Sequence, residues 1–343
     1  MSPDQLKPFL GPPRCEAQNL FDAERCPSVV TTPDGVVVAT WGNTELRSRR
    51  SVDGGQTWEP VVSLGPGLQT GGLLVDEATG DLLVWTHVKH PPKDAGGKTP
   101  HRTMYRSTDA GESWQVDDAE YYADSRGHVP ALHFAEHGIT LQHGPRAGRL
   151  LRPARVYGKE DGYNTAVYSD DHGQTWRPSE PFPLSGAGEG AVAERIDGSI
   201  YYSSRKHFFR ADEPRHPWRH WGVSRDGGVT WQDVASHHNL PDGPRYRGDE
   251  RRASCWNGHF GMAGGLIRMP LPDRDVLLYS NVDQPGHDRR RMTVWASFDG
   301  GATWPIKRLI DEDNAAYSSL AVGRPGTPSE GWGYLQFERW RHR

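Results

Sequence analysis

Short apolar or alternating runs separated by turn residues make up most of the sequence, and long helical periodicity is missing. Four clear runs are VVVATW at 36–41, DLLVWTHV at 81–88, SIYYSS at 199–204 and DVLLYS at 275–280. Each has the length and the β-branched or aromatic residues that are typical of strands. The chain also holds 40 glycines and 27 prolines, which suit tight turns. The pattern predicts an all-β protein of many short strands.

An eight-residue motif, S-x-D-x-G-x-[ST]-W, recurs five times between these strands. We call each copy an Asp box; the copies lie at 51–58, 107–114, 169–176, 224–231 and 297–304. Recurrence of this kind is typical of propellers and solenoids. Six units of about 57 residues fill the 343 residues, which predicts a six-bladed β-propeller with four strands per blade. Five blades keep the box, and strands from both chain ends are expected to close the sixth.

This organisation predicts a single propeller domain over residues 1–343, with residues 1–20 as an irregular N-terminal segment. Within it, the aspartate of each box has two interpretations, a catalytic acid or a turn residue. A catalytic acid is needed once, whereas the motif occurs five times, so a structural role is favoured for Asp53 and its counterparts. Glycine supplies the positive φ of a hairpin turn, and aspartate accepts hydrogen bonds from backbone N–H groups there. The tryptophan is expected to fold back over the hairpin as an apolar plug.

Charge and composition exclude several classes of partner. The net charge is −4 and the sequence pI is about 6.5, and no basic stripe indicates a nucleic-acid surface. The sequence contains no apolar run of 18 residues, so it predicts no membrane span. The three cysteines, Cys15, Cys26 and Cys255, show neither a disulfide framework nor metal-ligand spacing, so no metal or cofactor is predicted.

Two cellular locations stay open at this point. The opening residues MSPDQLKPFLGPP lack the apolar core of a signal peptide. This is compatible with a cytoplasmic protein, or with a secreted protein whose leader has been removed. The sequence does not indicate an oligomeric state.

Four segments outside the boxes carry charged residues beside predicted strands. They lie at 24–41, 188–205, 288–301 and 316–339. Together with the five boxes, and in this order, they resemble the bacterial exo-α-sialidase (neuraminidase) family. The resemblance extends over nearly the whole chain, from about Arg25 to Glu338, and it implies a sialidase-like propeller.

The resemblance also implies three arginines that hold the carboxylate of the substrate. Arg25, which stands directly before Cys-Pro and a strand, resembles the first of them. Arg205 resembles the second, because it follows Glu189 by sixteen residues with A-E-R-I-D-G in between. Glu338 corresponds to a late glutamate that pairs with the first arginine.

Arg289 resembles the third arginine, since it lies four residues before Thr293 in the strand that leads to the last box. Its neighbours Arg290 and Arg291 are the competing candidates, and only this spacing selects Arg289. Guanidinium groups suit the task because they bind carboxylates through charge-assisted and partly bidentate hydrogen bonds. Such a clasp fixes the sugar ring and orients the scissile bond.

Tyr317, which precedes Ser-Ser and an apolar strand, resembles the family's nucleophile. A neutral phenol avoids the repulsion that a carboxylate nucleophile would meet from the carboxylate of a sialic acid, and sialidases are the tyrosine exception among glycosidases. Phenol is a poor nucleophile at its ordinary pKa, so a base is needed, and the resemblance gives this role to Glu189. The implied activity is a retaining exo-glycosidase that removes terminal α-linked sialic acids from glycoconjugates.

The general acid is the one expected residue without a match. In the family an aspartate stands on a loop after the first strand, but the corresponding segment here is short and contains no aspartate. Glu45 is the candidate acid in that segment, because the amide of Asn43 cannot serve as an acid. His87, His90 and Asp94, in an apparent long loop of the second unit, are alternatives, since histidine can act as an acid near neutral pH.

This gap keeps two further functions open. The enzyme can act on a different acidic sugar, such as another ulosonic acid or a uronic acid, which would use the same arginine clasp. Without an acid, the protein can instead be a non-catalytic propeller that binds acidic glycans. In all three cases the expected partner is a sialylated or other acidic glycan.

Overall fold

A computed structural model describes residues 14–21, 25–67, 72–87, 102–132, 136–157, 161–207, 218–243, 261–284 and 289–340. Within these ranges the strands form five sheets, and almost all neighbouring strands are antiparallel. The four runs that the sequence indicated as strands each overlap one, which confirms the all-β prediction. A short 3-10 helix covers Gly144–Arg146.

The first two sheets have four strands each, in sequential order. The first consists of β1 (Ser28–Thr31), β2 (Val37–Trp41), β3 (Glu45–Ser51) and β4 (Val62–Pro66). The second consists of β5 (Leu74–Val75), β6 (Leu82–His87), β7 (Arg102–Ser107) and β8 (Gln115–Asp117).

The third sheet has five strands, and the fourth has four in sequential order. The third contains β9 (Glu120–Tyr121), β10 (Ile139–Thr140), β11 (Leu150–Val156), β12 (Tyr163–Ser169) and β13 (Thr175–Pro178). Its strand β9 joins the outer edge, parallel to β13. The fourth contains β14 (Ala187–Glu194), β15 (Ile200–Lys206), β16 (Trp218–Ser224) and β17 (Gln232–Pro241).

The fifth sheet contains five strands in sequential order. They are β18 (Gly265–Arg268), β19 (Leu277–Val282), β20 (Arg290–Ser297), β21 (Ile306–Val322) and β22 (Gly333–Trp340). The strand β21 is 17 residues long. Its first half pairs with β20 and its second half pairs with β22.

These sheets form a propeller, but the prediction of six blades is wrong for the described residues, which form five. The reason is the continuity of β21: the segment expected to begin a sixth blade remains in the fifth sheet as the same strand. The inner strands β1, β5, β10, β14, β18 and β21 nevertheless neighbour one another in order around the ring. The backbone N–H of Val29 donates to Ser319 Oγ (3.0 Å), which joins β1 to β21.

The hydrophobic core is divided among the interfaces between neighbouring sheets. Between the first and second sheets, Leu46 packs in one buried cluster with Val84. Between the second and third, Trp85 meets Trp176 edge to face, with ring centroids 5.2 Å apart. Burial of such large rings is the main contribution to a core of this kind. Each sheet is therefore stabilised by its neighbours rather than by a shared centre.

The Asp boxes are turns, as the sequence predicted. In the first box Ser51 Oγ donates to Asp53 Oδ1 (2.7 Å), and Asp53 accepts from the backbone N–H (2.9 Å) and hydroxyl (2.6 Å) of Thr57. The N–H of Gly55, whose φ is 88°, donates to Ser51 Oγ (2.8 Å). The same contacts recur in the four other boxes, around the aspartates Asp109, Asp171, Asp226 and Asp299.

The box tryptophans do more than cover their own hairpins. Trp176 donates to Gly173 O (3.0 Å) within its own box. Trp114 instead donates to Ser48 Oγ (3.1 Å) of the preceding sheet, and Trp231 donates to Ser179 Oγ (2.9 Å). These rings thus connect adjacent sheets. None of the helices in the described ranges is long and apolar enough to cross a membrane.

Candidate active site

Three predicted site residues meet at the inner strands of the fourth and fifth sheets. The phenol of Tyr317 on β21 donates to Glu189 Oε1 on β14 at 3.1 Å. Arg205 on β15 donates from Nη1 to the same phenol oxygen at 3.3 Å, and it also binds Glu189 Oε2. All three side chains are buried. The arrangement places a phenol, a carboxylate and a guanidinium within hydrogen-bond distance of one another.

A β-bulge gives this cluster its geometry. The register between β14 and β15 is shifted between Ala187 and Gly190, and Glu189 lies within the shift. Bulges turn a side chain away from its regular direction and often occur next to active sites. Here the bulge brings Glu189 to the end of β15, where Arg205 lies. The glycines that flank Glu189 leave room for this distortion, since a Cβ at Gly190 would meet the ring of Tyr202.

Arg25 contacts the ring of the same tyrosine. Its Cζ lies 5.0 Å from the ring centroid of Tyr317, within the range of a cation–π interaction. Arg25 Nε donates to Glu338 Oε1 (3.2 Å), as the resemblance implied for these two residues. The same carboxylate accepts from the N–H of Cys26 (2.9 Å) and, through its other oxygen, from the N–H of Tyr317 (3.4 Å). Glu338 therefore joins β22 to the start of the first sheet and to the strand of the tyrosine.

The backbone at Cys26 is unusual. Its φ is 66°, in the left-handed region that residues with a Cβ rarely adopt. Such conformations persist only where the surroundings hold them, and they are common at functional sites. The residue follows Arg25, and the bond from its N–H to Glu338 holds the strained turn.

Arg289 also lies beside the tyrosine, with its Cζ 5.5 Å from the ring centroid of Tyr317. Its carbonyl accepts from the N–H of Ala315 (2.9 Å), which holds it against β21. The competing candidates have partners elsewhere: Arg290 donates to Glu312 O (3.3 Å), and Arg291 pairs with the carboxylate of Glu312 (3.5 Å). The structure thus brings Arg289, and not its two neighbours, to the tyrosine.

The electrostatics of the cluster favour an ionised carboxylate and a protonated phenol. Burial acts to raise the pKa of Glu189, but the positive charges of Arg205 and Arg155 outweigh it, so the pKa lies below its usual value. Burial and the charge of Glu189 raise the pKa of Tyr317, against the opposing charges of the surrounding arginines. The proton therefore resides on the tyrosine when no ligand is bound.

Arg155 is a member of the cluster that the sequence analysis missed. It lies on β11 of the third sheet, buried, with Nη1 3.7 Å from Glu189 Oε1. Its guanidinium also stacks on the ring of Tyr157, with Cζ 4.8 Å from the centroid. The signal that could have revealed Arg155 is its position in LLRPARV, a strand whose residues are all buried. A charged residue in such a strand needs a partner.

The pair Arg219 and Asp242, which the sequence analysis also missed, supports the strand that carries Arg205. Arg219 on β16 is buried and donates to Asp242 Oδ1 (2.6 Å) and to Met262 O (2.8 Å). The other oxygen of Asp242 accepts from the N–H of Lys206 (2.8 Å), the residue after Arg205. Burial raises the pKa of Asp242 to about 6, against the charge of Arg219. This pair fixes the end of β15 and thereby the position of Arg205.

Glu45 is not brought to the cluster. It begins β3 and binds Ser63 Oγ (2.5 Å) and Arg47 (2.8 Å) within the first sheet. The hydrogen bond from Ser63, followed by that from Arg47, lowers the pKa of Glu45. Of the other candidate acids, His87 accepts from the N–H of Leu132 (3.2 Å), and His90 and Asp94 lie outside the described residues.

The arrangement defines what the site can do. Arg25, Arg205 and Arg289 surround Tyr317 with positive charge, which suits an anionic ligand such as a carboxylate. Arg25 keeps 41% of its side chain exposed, so the cluster is open to solvent on that side. Tyr317 is the only group of the cluster that is both neutral and able to become a nucleophile by losing a proton. In the described ranges, His, Cys, Asp and Glu side chains form no group suited to a metal ion.

Comparison with known proteins relates the chain to a defined family. The family model of the BNR repeat-like domain matches residues 69–328. A sialidase from Micromonospora viridifaciens is 30% identical over 354 residues, which is 92% of this chain and 52% of that protein. A sialidase from Bacteroides fragilis is 26% identical over 352 residues, 88% of this chain and 58% of that protein. The chain thus spans about half the length of these relatives.

Solved structures give the same relationship. A Hadza microbial sialidase superposes with a TM-score of 0.63 at 25% identity, over 87% of this chain and 61% of that one. The leech intramolecular trans-sialidase, complexed with 2,7-anhydro-Neu5Ac, superposes with a TM-score of 0.67 at 18% identity, over 99% of this chain and 72% of that one. The second similarity concerns the fold alone.

Proposed function

Because the chain belongs to the BNR repeat-like domain family and is similar to bacterial sialidases, we propose that it is a retaining exo-glycosidase for terminal α-linked sialic acids. The observation that carries the proposal is the hydrogen bond of 3.1 Å between the phenol of Tyr317 and Glu189. A buried tyrosine with a carboxylate acceptor is the arrangement that an activated phenol nucleophile requires.

The three arginines bind the substrate carboxylate in this proposal. Arg25 and Arg289 lie over the ring of Tyr317, and Arg205 lies at its hydroxyl. A carboxylate held among these guanidiniums would keep the anomeric carbon next to the phenol oxygen. Holding the reactants in this way replaces a bimolecular encounter by a unimolecular step.

In the first chemical step the oxygen of Tyr317 forms a bond to the anomeric carbon, and the bond from that carbon to the leaving alcohol breaks. Glu189 accepts the phenolic proton, and the leaving alkoxide takes a proton from solvent water, which leaves hydroxide. In the second step water attacks the anomeric carbon and the bond to the tyrosine breaks. Glu189 returns its proton to the phenolate, and the hydroxide takes the proton that the attacking water loses. Two inversions give net retention.

The pKa directions indicate when the phenolic proton moves. The pKa of Glu189 is lowered and that of Tyr317 is raised, so transfer is unfavourable before substrate binds. As the bond to the anomeric carbon forms, the phenol oxygen loses basicity and its proton becomes more acidic. Proton transfer is therefore coupled to attack, and the phenolate does not accumulate.

A glycoside with another acidic sugar is the second candidate substrate. It is favoured by the position of Glu45, which binds Ser63 and Arg47 away from Tyr317. Without an acid at that place, protonation of the leaving alcohol depends on another group or on water. The arginines would bind the carboxylate of a substrate with a different ring equally well. A less basic leaving group would also depend less on protonation.

The test is release of the fluorophore from 4-methylumbelliferyl α-sialoside, compared between the wild-type protein, Tyr317→Phe and Tyr334→Phe. Tyr317→Phe is expected to lower kcat by at least about 100-fold. Tyr334, whose hydroxyl donates to Gly54 O (3.0 Å) beside the first Asp box, is the matched control and should keep full activity. NMR of the first product should show the retained α-anomer.

Failure to cleave the sialoside at any pH would reject sialidase activity. Cleavage of another acidic glycoside in a substrate panel, lost in Tyr317→Phe, would then establish the second candidate. Binding of a free acidic sugar by calorimetry, with no glycoside cleaved, would instead indicate a non-catalytic acidic-glycan-binding propeller.

A further inference from the structure

A second arginine of β11 is buried without a hydrogen-bond partner among the described residues. Arg152 is 0% exposed, and its Nε, Nη1 and Nη2 are each buried and make no hydrogen bond within the part of the chain that the structure describes. It forms no ion pair with any carboxylate of the described residues. A buried guanidinium in this state is rare, because burial of a charge is costly unless the charge is paired.

The surroundings of Arg152 add a second positive charge. Its Cζ lies 4.6 Å from the ring of Trp85. On the adjacent sheet, Arg102 stacks on Tyr121 with its Cζ 4.0 Å from the ring centroid, and its Nη1 is likewise buried without a hydrogen bond. Trp85 Nε1 donates to the hydroxyl of Tyr121 (2.8 Å), which closes the group into one site. We call these four residues the Arg152 site; it lies between the second and third sheets.

No group of the Arg152 site supplies a compensating negative charge. Burial raises the pKa of Tyr121, so its phenol stays neutral. Burial, followed by the charge of Arg102, lowers the pKa of Arg152 to about 9 despite the opposing influence of Tyr121. Burial likewise lowers the pKa of Arg102 to about 10. Both guanidiniums stay protonated near neutral pH, so the site holds two positive charges beside two linked aromatic rings.

Arg149, directly before the same strand, shows how the protein neutralises a comparable residue. It is also buried and also stacks on an aromatic ring, with its Cζ 4.0 Å from the centroid of Tyr168. Unlike Arg152, it binds Asp170 through two hydrogen bonds of 2.7 Å and donates to Gly227 O (3.0 Å). Within the described ranges the fold therefore provides a carboxylate for Arg149 and none for Arg152.

We propose that Arg152 and Arg102 bind a chloride ion between the second and third sheets. The Arg152 site offers two guanidiniums beside the rings of Trp85 and Tyr121, a set that suits a monovalent spherical anion, whereas a larger oxyanion would require more polar contacts. Chloride is weakly hydrated compared with phosphate, so its transfer into a mostly apolar interface costs less. The site is separate from Tyr317, and it acts on the stability of the propeller rather than on the reaction.

The first experiment follows thermal unfolding in sodium chloride and in sodium gluconate at equal ionic strength. Chloride should raise the Tm of the wild-type protein by about 2 °C or more, with a logarithmic dependence on chloride above saturation. Bromide should replace chloride, because it has the same charge and a similar radius. Equal Tm values in both salts would overturn the proposal.

Variants assign the effect to the site. Arg152→Met should abolish the difference between chloride and gluconate and should be at least as stable as the wild type in gluconate, because it removes an unpaired buried charge. Arg149→Met is the matched control: it should lower the Tm in both salts and keep the chloride response. A chloride response that survives in Arg152→Met would show that the ion binds elsewhere.

Should Arg152→Met fail to fold, crystals of the wild-type protein grown in bromide give an independent answer. Anomalous scattering should show a bromide peak within about 3.5 Å of the guanidinium nitrogens of Arg152 and Arg102. Absence of a peak there, with water molecules satisfying the nitrogens, would refute the chloride site.

Discussion

The hydroxyl of Tyr317 lies 3.1 Å from Glu189, although 128 residues separate the two along the chain. The contact exists because β14 and β21 are both inner strands of the ring, and because the bulge before Gly190 turns Glu189 toward its neighbour. Arg205 binds both partners. Disturbing any of the three side chains therefore changes the environment of the other two.

Removal of Arg289 should affect the kinetics alone, whereas removal of Arg205 should also lower the stability of the fold. Arg289→Ala is expected to raise KM and lower kcat, with kcat/KM reduced roughly 100-fold, because the proposed clasp serves both ground state and transition state. Arg205→Ala should do the same and also destabilise the fold by about 3–5 kcal/mol, since it leaves the buried Glu189 without its main partner. Steady-state kinetics and urea unfolding separate the two effects.

Arg290→Ala is the control for this comparison, because Arg290 is a direct neighbour of Arg289 and its side chain donates to Glu312 O (3.3 Å). It should leave KM and kcat nearly unchanged. An Arg289→Ala enzyme with wild-type kinetics would remove Arg289 from the substrate site.

Arg155 should set the lower end of the active pH range. Its charge helps to lower the pKa of Glu189, so Arg155→Met is expected to raise that pKa. Since the proposed base must be deprotonated, the acid limb of kcat/KM should move to higher pH while the alkaline limb stays in place. Arg177→Met, which removes a guanidinium stacked on Tyr122 in the same sheet, should not shift either limb. An unchanged acid limb in Arg155→Met would contradict this role.

The Asp boxes should make the fold sensitive to acid. Hydrogen bonds from Thr57 and Ser51 lower the pKa of Asp53 from 3.8 to about 2, and the pKa values of the four other box aspartates are also lowered. A depressed pKa in the folded state gives stability that is present above the unfolded pKa and is lost as the pH falls toward the folded one. The Tm should therefore fall as the pH decreases from about 4 to about 2.

Asp53→Ala should lower the Tm near neutral pH and reduce this acid dependence, while kcat and KM stay at wild-type values. Asp34→Ala, in a neighbouring turn that is not a box, offers a control for loss of a carboxylate in the same sheet. A folded but inactive Asp53→Ala protein would give the box aspartate a catalytic role after all.

Glu45→Gln should retain activity. Glu45 binds Ser63 and Arg47, and its lowered pKa keeps it ionised near neutral pH, so it is a poor proton donor. We expect kcat to change by no more than about twofold, since exposed ion pairs of this kind contribute little. The sensitive measurement uses a sialoside with a poor leaving group, because loss of a general acid affects such a substrate most. A large loss there would restore Glu45 as the acid.

Local signals in the sequence predicted local structure well. The Asp boxes could be predicted because serine, aspartate and glycine meet within one turn, and the strands because their composition and length are set residue by residue. The site residues followed from spacing within a resemblance. The placement of Arg25, Arg205 and Arg289 around Tyr317 agrees with that expectation, while their roles remain predictions.

What failed depended on contacts between distant segments. The blade count was wrong because nothing near 306–322 signals that one strand changes partner from β20 to β22 without a break. Arg155 was missed because Glu189, its partner, belongs to another sheet. The domain boundaries are likewise untested, and they stay a prediction.

The contacts of Glu338 have a consequence for biosynthesis. This carboxylate accepts hydrogen bonds from Arg25, from the N–H of Cys26 and from the N–H of Tyr317. It belongs to β22, which is the last of the described strands to leave the ribosome. A nascent chain that has already made its first four sheets still lacks the carboxylate that binds the guanidinium of Arg25 and the N–H of Cys26. The guanidinium of Arg25 should therefore stay unfixed until β22 docks, so the pocket should be completed late in folding.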